Sequence, residues 1–269
     1  MRDSKVERST LVWKTQHDMG YTDLADAEWL YREWIYPNRF EDVSGKSVLD
    51  AGSGPGVQLR MFAEHAKVVV AVDLEALETS IAKSQGLNNV EFIRDDIATM
   101  DLGRKFDVVN CVGVIHHTDN PTKTFTNLFR HLEIGGRMII WAYAKEGNFF
   151  MERMIEPLRQ RFLVNVSHNF LRKISFSLTL FLYIFVNTFY RLPIRRLPYY
   201  GYFQNFRKLT FSRNMLNIYD KLNAPQQHFI SIETIRQWFD ENHFSEIHIS
   251  HYAGTSWRAS GTKIRQYGK

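Results

Sequence analysis

Cysteine is almost missing from this chain. Cys111 stands alone in 269 residues, which rules out an internal disulfide framework and fits a reducing compartment. Repeats, low-complexity tracts and the Cys/His spacing of a zinc site are lacking too, so no metal is expected. The polar, charged first ten residues do not have the pattern of a signal peptide, and the expectation is a cytoplasmic protein. What the chain does have is 44% hydrophobic residues, enough to bury the core of one α/β domain with an insertion or small lobe.

Acidic residues are scarce in one place. Residues 151–214 hold 11 of the 34 Lys and Arg but only Glu152 and Glu156 of the 29 Asp and Glu, leaving 23 basic against 27 acidic residues elsewhere. The net charge of +5 therefore comes from this one segment. Its basic residues flank an apolar aromatic run instead of covering a polar face, which points to an anionic membrane surface and away from nucleic acid.

The organising stretch is Val48-Leu49-Asp50-Ala51-Gly52-Ser53-Gly54-Pro55-Gly56, an apolar strand ending in an acid, then glycines at alternate positions, then a helical pattern from Leu59 through Phe62, Ala63 and Ala66. Such glycines permit a sharp turn and let a ligand lie against the backbone, although a packing-only turn is the plainer alternative. Residues 68–72 form a continuous apolar run, as in a strand buried on both faces, and end at Asp73. Asp73 suits both ribose hydroxyls beside the glycine loop and, equally, the N-cap of the next helix.

Strands are expected at 90–93, 106–112 and 138–143. Between the last two lies a helix started by Asn120 and Pro121, carrying Phe125, Leu128, Phe129 and Leu132 on its apolar face and ended by Gly135 and Gly136. This alternation predicts a doubly wound, mostly parallel sheet with helices on both faces. Residues 1–46 read as a helical aromatic lid, in which Trp29 and Tyr36 would form a buried stripe more readily than a substrate contact. Ser231 starts a late helix, and Ile247 with Ile249 predicts a strand paired antiparallel with 257–263.

The alternation breaks at 151–214. Residues 174–190 carry no charge and are bracketed by Arg172 and Lys173 before, and by Arg191, Arg195 and Arg196 after. Ser175, Ser177, Thr179, Asn187 and Thr188 within the run argue against a span, which needs roughly 20 predominantly apolar residues. Two readings stay open: an interfacial helix in the headgroup region, or a cap packed on the domain's own apolar surface.

Taken together, the glycine loop, Asp73, Asp95-Asp96-Ile97, Phe106-Asp107-Val108-Val109 and Gly113-Val114-Ile115-His116-His117 resemble the class I S-adenosylmethionine-dependent methyltransferases, strongly over about residues 45–145 and weakly over the last 40 or so. The resemblance implies a Rossmann-like seven-stranded sheet with a helical insertion after strand five. Its domains would be the lid at 1–46, the cofactor domain at 47–150 and 215–269, and the insertion at 151–214. It also implies S-adenosyl-L-methionine as cofactor. Gly52, Ser53, Gly54 and Gly56 would admit its methionine part, with Asp50 and a carbonyl from Cys111 to Gly113 on the ammonium. Asp73 would take the ribose, Asp96 and the Ile97 N–H the adenine, and Leu74 would form an apolar wall. Near the C-terminus, Asn242-His243 replaces the family's Ala-Gly and would have to tolerate a left-handed cap. A dinucleotide-binding G-x-G-x-x-G would need glycine at 57, where this chain has Val57.

For a hydroxyl acceptor, His117 after strand four is a candidate base, against its being a common sequence element of the family; His228, oriented by Asp220, is a second candidate, against a surface or capping role. The insertion suits a small lipid-linked or quinone-like acceptor taken from a membrane surface. A sugar or nucleotide-sugar hydroxyl is the alternative substrate, and a non-catalytic cofactor-binding scaffold the alternative class.

Overall fold

The computed structural model describes residues 24–163 and 166–265. Trp13, part of the expected lid, lies outside them. Strands β1 (Ser47–Ala51), β2 (Val68–Val72), β3 (Val90–Ile93), β4 (Phe106–Val112), β5 (Leu132–Tyr143), β6 (Phe244–Tyr252) and β7 (Ser256–Lys263) form one sheet in the order β3-β2-β1-β4-β5-β7-β6. The first five pair in parallel and β7 inserts antiparallel between β5 and β6. The expected 90–93 and 106–112 strands form at those bounds, and β2 is the apolar run at 68–72.

Both faces of the sheet are covered. Helix α1 (Leu24–Ile35) and α2 (Val57–Ala63) pack on one, α4 (Pro121–Arg130) and α9 (Ile232–Trp238) on the other, while α3 (Leu77–Lys83) joins β2 to β3. Asn120 and Ser231 cap α4 and α9 by accepting from the backbone N–H groups of Lys123 and Thr234. Strand order reverses between β1 and β4, and their carboxyl ends open the crevice in which doubly wound sheets bind ligands.

Between β5 and α9 lie α5 (Glu156–Phe162), α6 (His168–Phe189), α7 (Tyr200–Lys208) and α8 (Phe211–Asn223). Helices α6, α7 and α8 form a separate cluster around Leu171, Val186, Phe206, Ile218 and Tyr219.

Three expectations are corrected. Gly135 and Gly136 do not end a helix: α4 stops at Arg130, and both glycines lie in β5. There the register against β4 shifts between Phe106 and Val108, and a Cβ at Gly136 would meet the Asp107 carbonyl at 2.9 Å. The buried face of α1 is Leu30, Tyr31 and Ile35, whereas Tyr36 lies past the helix end and is exposed. Neither Asn242 nor His243 is left-handed; Asp240 organises that turn by accepting from the Asn242 backbone N–H and bonding the His243 ring.

Candidate functional site

The glycine loop follows β1 as a sharp turn. Gly52, Gly54 and Gly56 all have positive φ, at 81°, 52° and 83°. At Gly52 a Cβ would sit 2.5 Å from Val114 Cγ1, so the loop rests directly on the turn after β4 and only glycine fits. Gly54 N–H donates to Asp73 Oδ2 at 2.9 Å, tying the loop to the end of β2. The other Asp73 oxygen accepts from the backbone N–H groups of Glu75 and Ala76, both at 2.8 Å, so Asp73 organises the turn that leads into α3.

Asp50 lies beneath the loop, 1% exposed. Its Oδ1 accepts from Asn110 Nδ2 at 2.8 Å, and the same nitrogen reaches Gln58 Oε1 at 3.3 Å. Among the described residues Oδ2 has no partner, and neither does the buried Ser53 hydroxyl. Burial raises the Asp50 pKa to about 7, with Asp73 adding to the rise and Asn110 opposing it. A buried carboxylate with an orphan oxygen, next to a loop of three glycines, suits a cationic ligand group. That is the chemistry of the ammonium in an amino-acid-bearing cofactor, so these residues fit it.

The remaining cofactor candidates follow the sheet edge. Asp96 Oδ1 accepts from Ala98 N–H at 2.9 Å, and Ile97 is buried in the core. Leu74, next to Asp73 just past the end of β2, is exposed. Gly113, with φ 84°, opens the turn after β4. The Cys111 side chain is sealed in the core packed against α4 and α9, and burial drives its thiol pKa far up. Only its backbone could serve a ligand.

A cavity of ≈ 460 Å³ runs from Gly52, Ser53 and Gln58 to the helices beyond β5. Leu30, Tyr31 and Trp34 of α1 line it, so this helix is both buried stripe and cavity wall. Trp34 stacks on Trp141 with ring centres 4.4 Å apart, and Lys208 of α7 lies 5.1 Å over the Trp29 ring.

The histidines differ in their placement relative to this cavity. His117 does not line the cavity; its Nδ1 bonds the Gln226 carbonyl at 2.9 Å while Gln226 Nε2 donates to the His117 carbonyl at 2.8 Å. His228 also stays out of the lining and contributes its backbone N–H to the His116 carbonyl at 2.8 Å. His116 is the one that lines the cavity, 0% exposed, with neither ring nitrogen hydrogen-bonded. Burial, aided by His117, Lys221 and His228, holds its pKa well below the usual value, so the ring is neutral at pH 7.

Asp220 accepts from the Tyr143 hydroxyl at 3.3 Å, and Lys221 Nζ lies 3.4 Å from the same oxygen. Burial opposes the Lys221 charge, but the oxygens of Tyr143, Tyr202 and Asp220 outweigh it and raise its pKa. All three residues line the cavity beside His116. The doublet His116-His117 was visible in sequence; which ring points inward depends on the turn Ile115–His117 and on its clamp to Gln226 and His228.

Residues 49–140 match the methyltransferase domain family. A ubiquinone biosynthesis O-methyltransferase of Schizosaccharomyces pombe is 30% identical over 103 residues, covering 36% of this chain and 38% of that protein. A tRNA U34 carboxymethyltransferase of Alteromonas mediterranea is 30% identical over 136 residues, covering 46% of this chain and 41% of that protein. Among solved structures, the S-adenosylmethionine-dependent methyltransferase SibL superposes with a TM-score of 0.52 at 16% identity, covering 89% of this chain and 56% of that one, a likeness of fold. The chain spans well under two thirds of the curated relatives it matches, from 34% to 52%. Residues 49–140 thus match the methyltransferase domain family, and the chain shares its fold with a solved methyltransferase.

Proposed function

We propose that this protein is an S-adenosyl-L-methionine-dependent methyltransferase that modifies a small, apolar, quinone-like or lipid-like acceptor at a hydroxyl or an activated carbon. One observation carries the reading: the cavity joins the glycine loop, with its orphan Asp50 oxygen below, to a chamber walled by Trp34, Trp141 and Tyr143. Bound S-adenosylmethionine supplies a methyl group activated on a sulfonium. The protein's own part is alignment and exclusion of water.

Gly52, Ser53, Gly54 and Gly56 form the cradle for the methionine end, with Asp50 and a backbone carbonyl of the Cys111–Gly113 turn as partners for its ammonium. Asp73 keeps lone pairs for the ribose beyond those used by Gly54, Glu75 and Ala76. Asp96 and the Ile97 N–H serve the adenine, and Leu74 covers it. His116, neutral and facing the chamber, accepts the acceptor hydroxyl's hydrogen bond and takes its proton. Lys221 stabilises negative charge developing on that oxygen, directly or through the Tyr143 hydroxyl. His117 and His228 position His116 through the backbone.

The relatives named for ubiquinone biosynthesis O-methylation support an aromatic hydroxyl acceptor, and the basic, apolar helices beyond β5 support its delivery at a membrane surface facing the cytoplasm. A sugar hydroxyl is the second reading, favoured by Asn148, Asn205, Asn217 and Gln227 in the cavity wall. Titration calorimetry with S-adenosylmethionine tests the cofactor. Incubation with methyl-labelled cofactor, with a lipid extract and with a nucleotide-sugar pool in parallel, tests the acceptor. Label in the lipid arm supports the reading; label only in the sugar arm replaces it.

A further inference from the structure

Helix α6 is built inside out for a water-soluble surface. The face it turns inward carries Leu171, Ser175, Thr179 and Val186. Both hydroxyls on that face are satisfied within the helix, Ser175 Oγ donating to the Leu171 carbonyl at 2.9 Å and Thr179 Oγ1 to the Ser175 carbonyl at 2.6 Å. The face turned to solvent carries Phe170, Phe176, Leu180, Phe181, Ile184 and Phe189, with Phe181 62% and Ile184 64% exposed. In water this arrangement leaves the larger apolar side chains uncovered and buries the smaller ones.

Charge says what covers that face. No Asp or Glu occurs between Glu156 and Asp220. Arg172 and Lys173 stand exposed in the first turns of α6, and Arg191, Arg195 and Arg196 stand exposed just past its end. The 22-residue helix is roughly 33 Å long, so two clusters of positive charge bracket an apolar middle. A second copy of the chain would have to bring these clusters together without any acid to separate them. An anionic bilayer offers phosphates to both clusters and acyl chains to the middle. The helix is long and apolar enough to cross a membrane, but it packs along one side, from Leu171 to Val186, on the cluster that contains α8, and that packing favours a helix lying flat on the bilayer.

We infer that the outer face of α6 docks in the interface of an anionic bilayer, lying flat with Phe181 and Ile184 below the headgroups and the five basic residues among them. Leu178 and Leu182 of the same helix line the cavity, as do Phe150 and Ile155 at the approach to α5. The docked face and the acceptor chamber therefore share a wall. This deepens the proposed function, and rests on it only for the claim that the acceptor comes from the lipid.

The test is flotation of the full chain with vesicles of phosphatidylcholine alone and of phosphatidylcholine with phosphatidylglycerol. The same preparations are checked for folding by thermal melting and for size by light scattering. The wild type should float with the anionic vesicles only. F181E/I184E and R191E/R195E/R196E should each lower partitioning at least tenfold with unchanged melting, because all five positions are exposed. Wild type that fails to float, or variants that float as well as wild type, overturns the inference; so does a dimer that F181E/I184E dissolves. Calorimetry with S-adenosylmethionine on the same wild type separates the two claims, since flotation without cofactor binding refutes the enzymatic reading and leaves the docking intact.

Discussion

Asn110 donates its side-chain amide to Oδ1 of Asp50 at 2.8 Å and leaves Oδ2 of the same buried carboxylate with no partner. A half-satisfied carboxylate in the core is costly, and the raised pKa of about 7 measures that cost. A cation arriving with the ligand, as proposed above, would supply the missing partner.

Cofactor affinity should follow from this. The ammonium requires Asp50 ionised, so binding should weaken as pH falls below about 7, by about tenfold per pH unit. Calorimetric titrations between pH 5.5 and 7.5 check this; a flat profile would mean that Asp50 does not face the ammonium.

The stability of the free protein should show the opposite face of the same shift. The folded pKa of Asp50 lies above the unfolded value of about 3.9, so the protonated form stabilises the fold. That contribution is fully present below about pH 4 and is lost as pH rises through about 7, at up to about 1.4 kcal/mol per unit. Asp50→Asn cannot titrate, so its stability relative to wild type should rise over that window in urea melts, while its cofactor binding is lost.

The two adjacent histidines should separate cleanly. His116→Asn should lower kcat by roughly 10²-fold or more with little change in cofactor affinity, the usual range for a lost acid–base group. His117→Asn should act mainly on stability through the Gln226 clamp. Equal losses of kcat in both variants would show that His116 is not the proton acceptor.

Gly52→Ala should be severe for its size. The positive φ costs about 1 kcal/mol and the contact with Val114 adds roughly 1–3 kcal/mol. A Val114→Ala background should recover part of the contact term and none of the φ term, as read by chemical denaturation.

Trp34→Ala should cost about 1 kcal/mol beyond lost area, from the stack on Trp141, and should raise KM for an apolar acceptor more than it lowers kcat. Steady-state kinetics against a range of acceptor concentrations would reveal a pure kcat effect if the lid only packs.

Much of the sheet could be read from residue order because its causes are local. The run Val68-Val69-Val70-Ala71-Val72 can only be a strand buried on both sides, and three alternate glycines after Asp50 can only be a tight turn. Caps at Asn120 and Ser231 are likewise short-range chemistry. Where the reading failed, the cause was non-local. Gly135 and Gly136 looked like a helix stop, but the β4 backbone beside them turned them into a strand irregularity.

The division at the site has the same origin. Sequence alone determined the methyltransferase-like framework, the acids at 50, 73 and 96, and the basic, acid-poor segment that follows β5. Only the tertiary structure decided that His116 and not His117 packs against the cavity, because a clamp from Gln226 and His228, over a hundred residues away, sets the rotation of that turn. It alone decided which side of α6 faces water, since the residues that bury its smaller side chains come from α7 and α8. Periodicity reports that a helix has two faces, but it is the neighbours that choose between them.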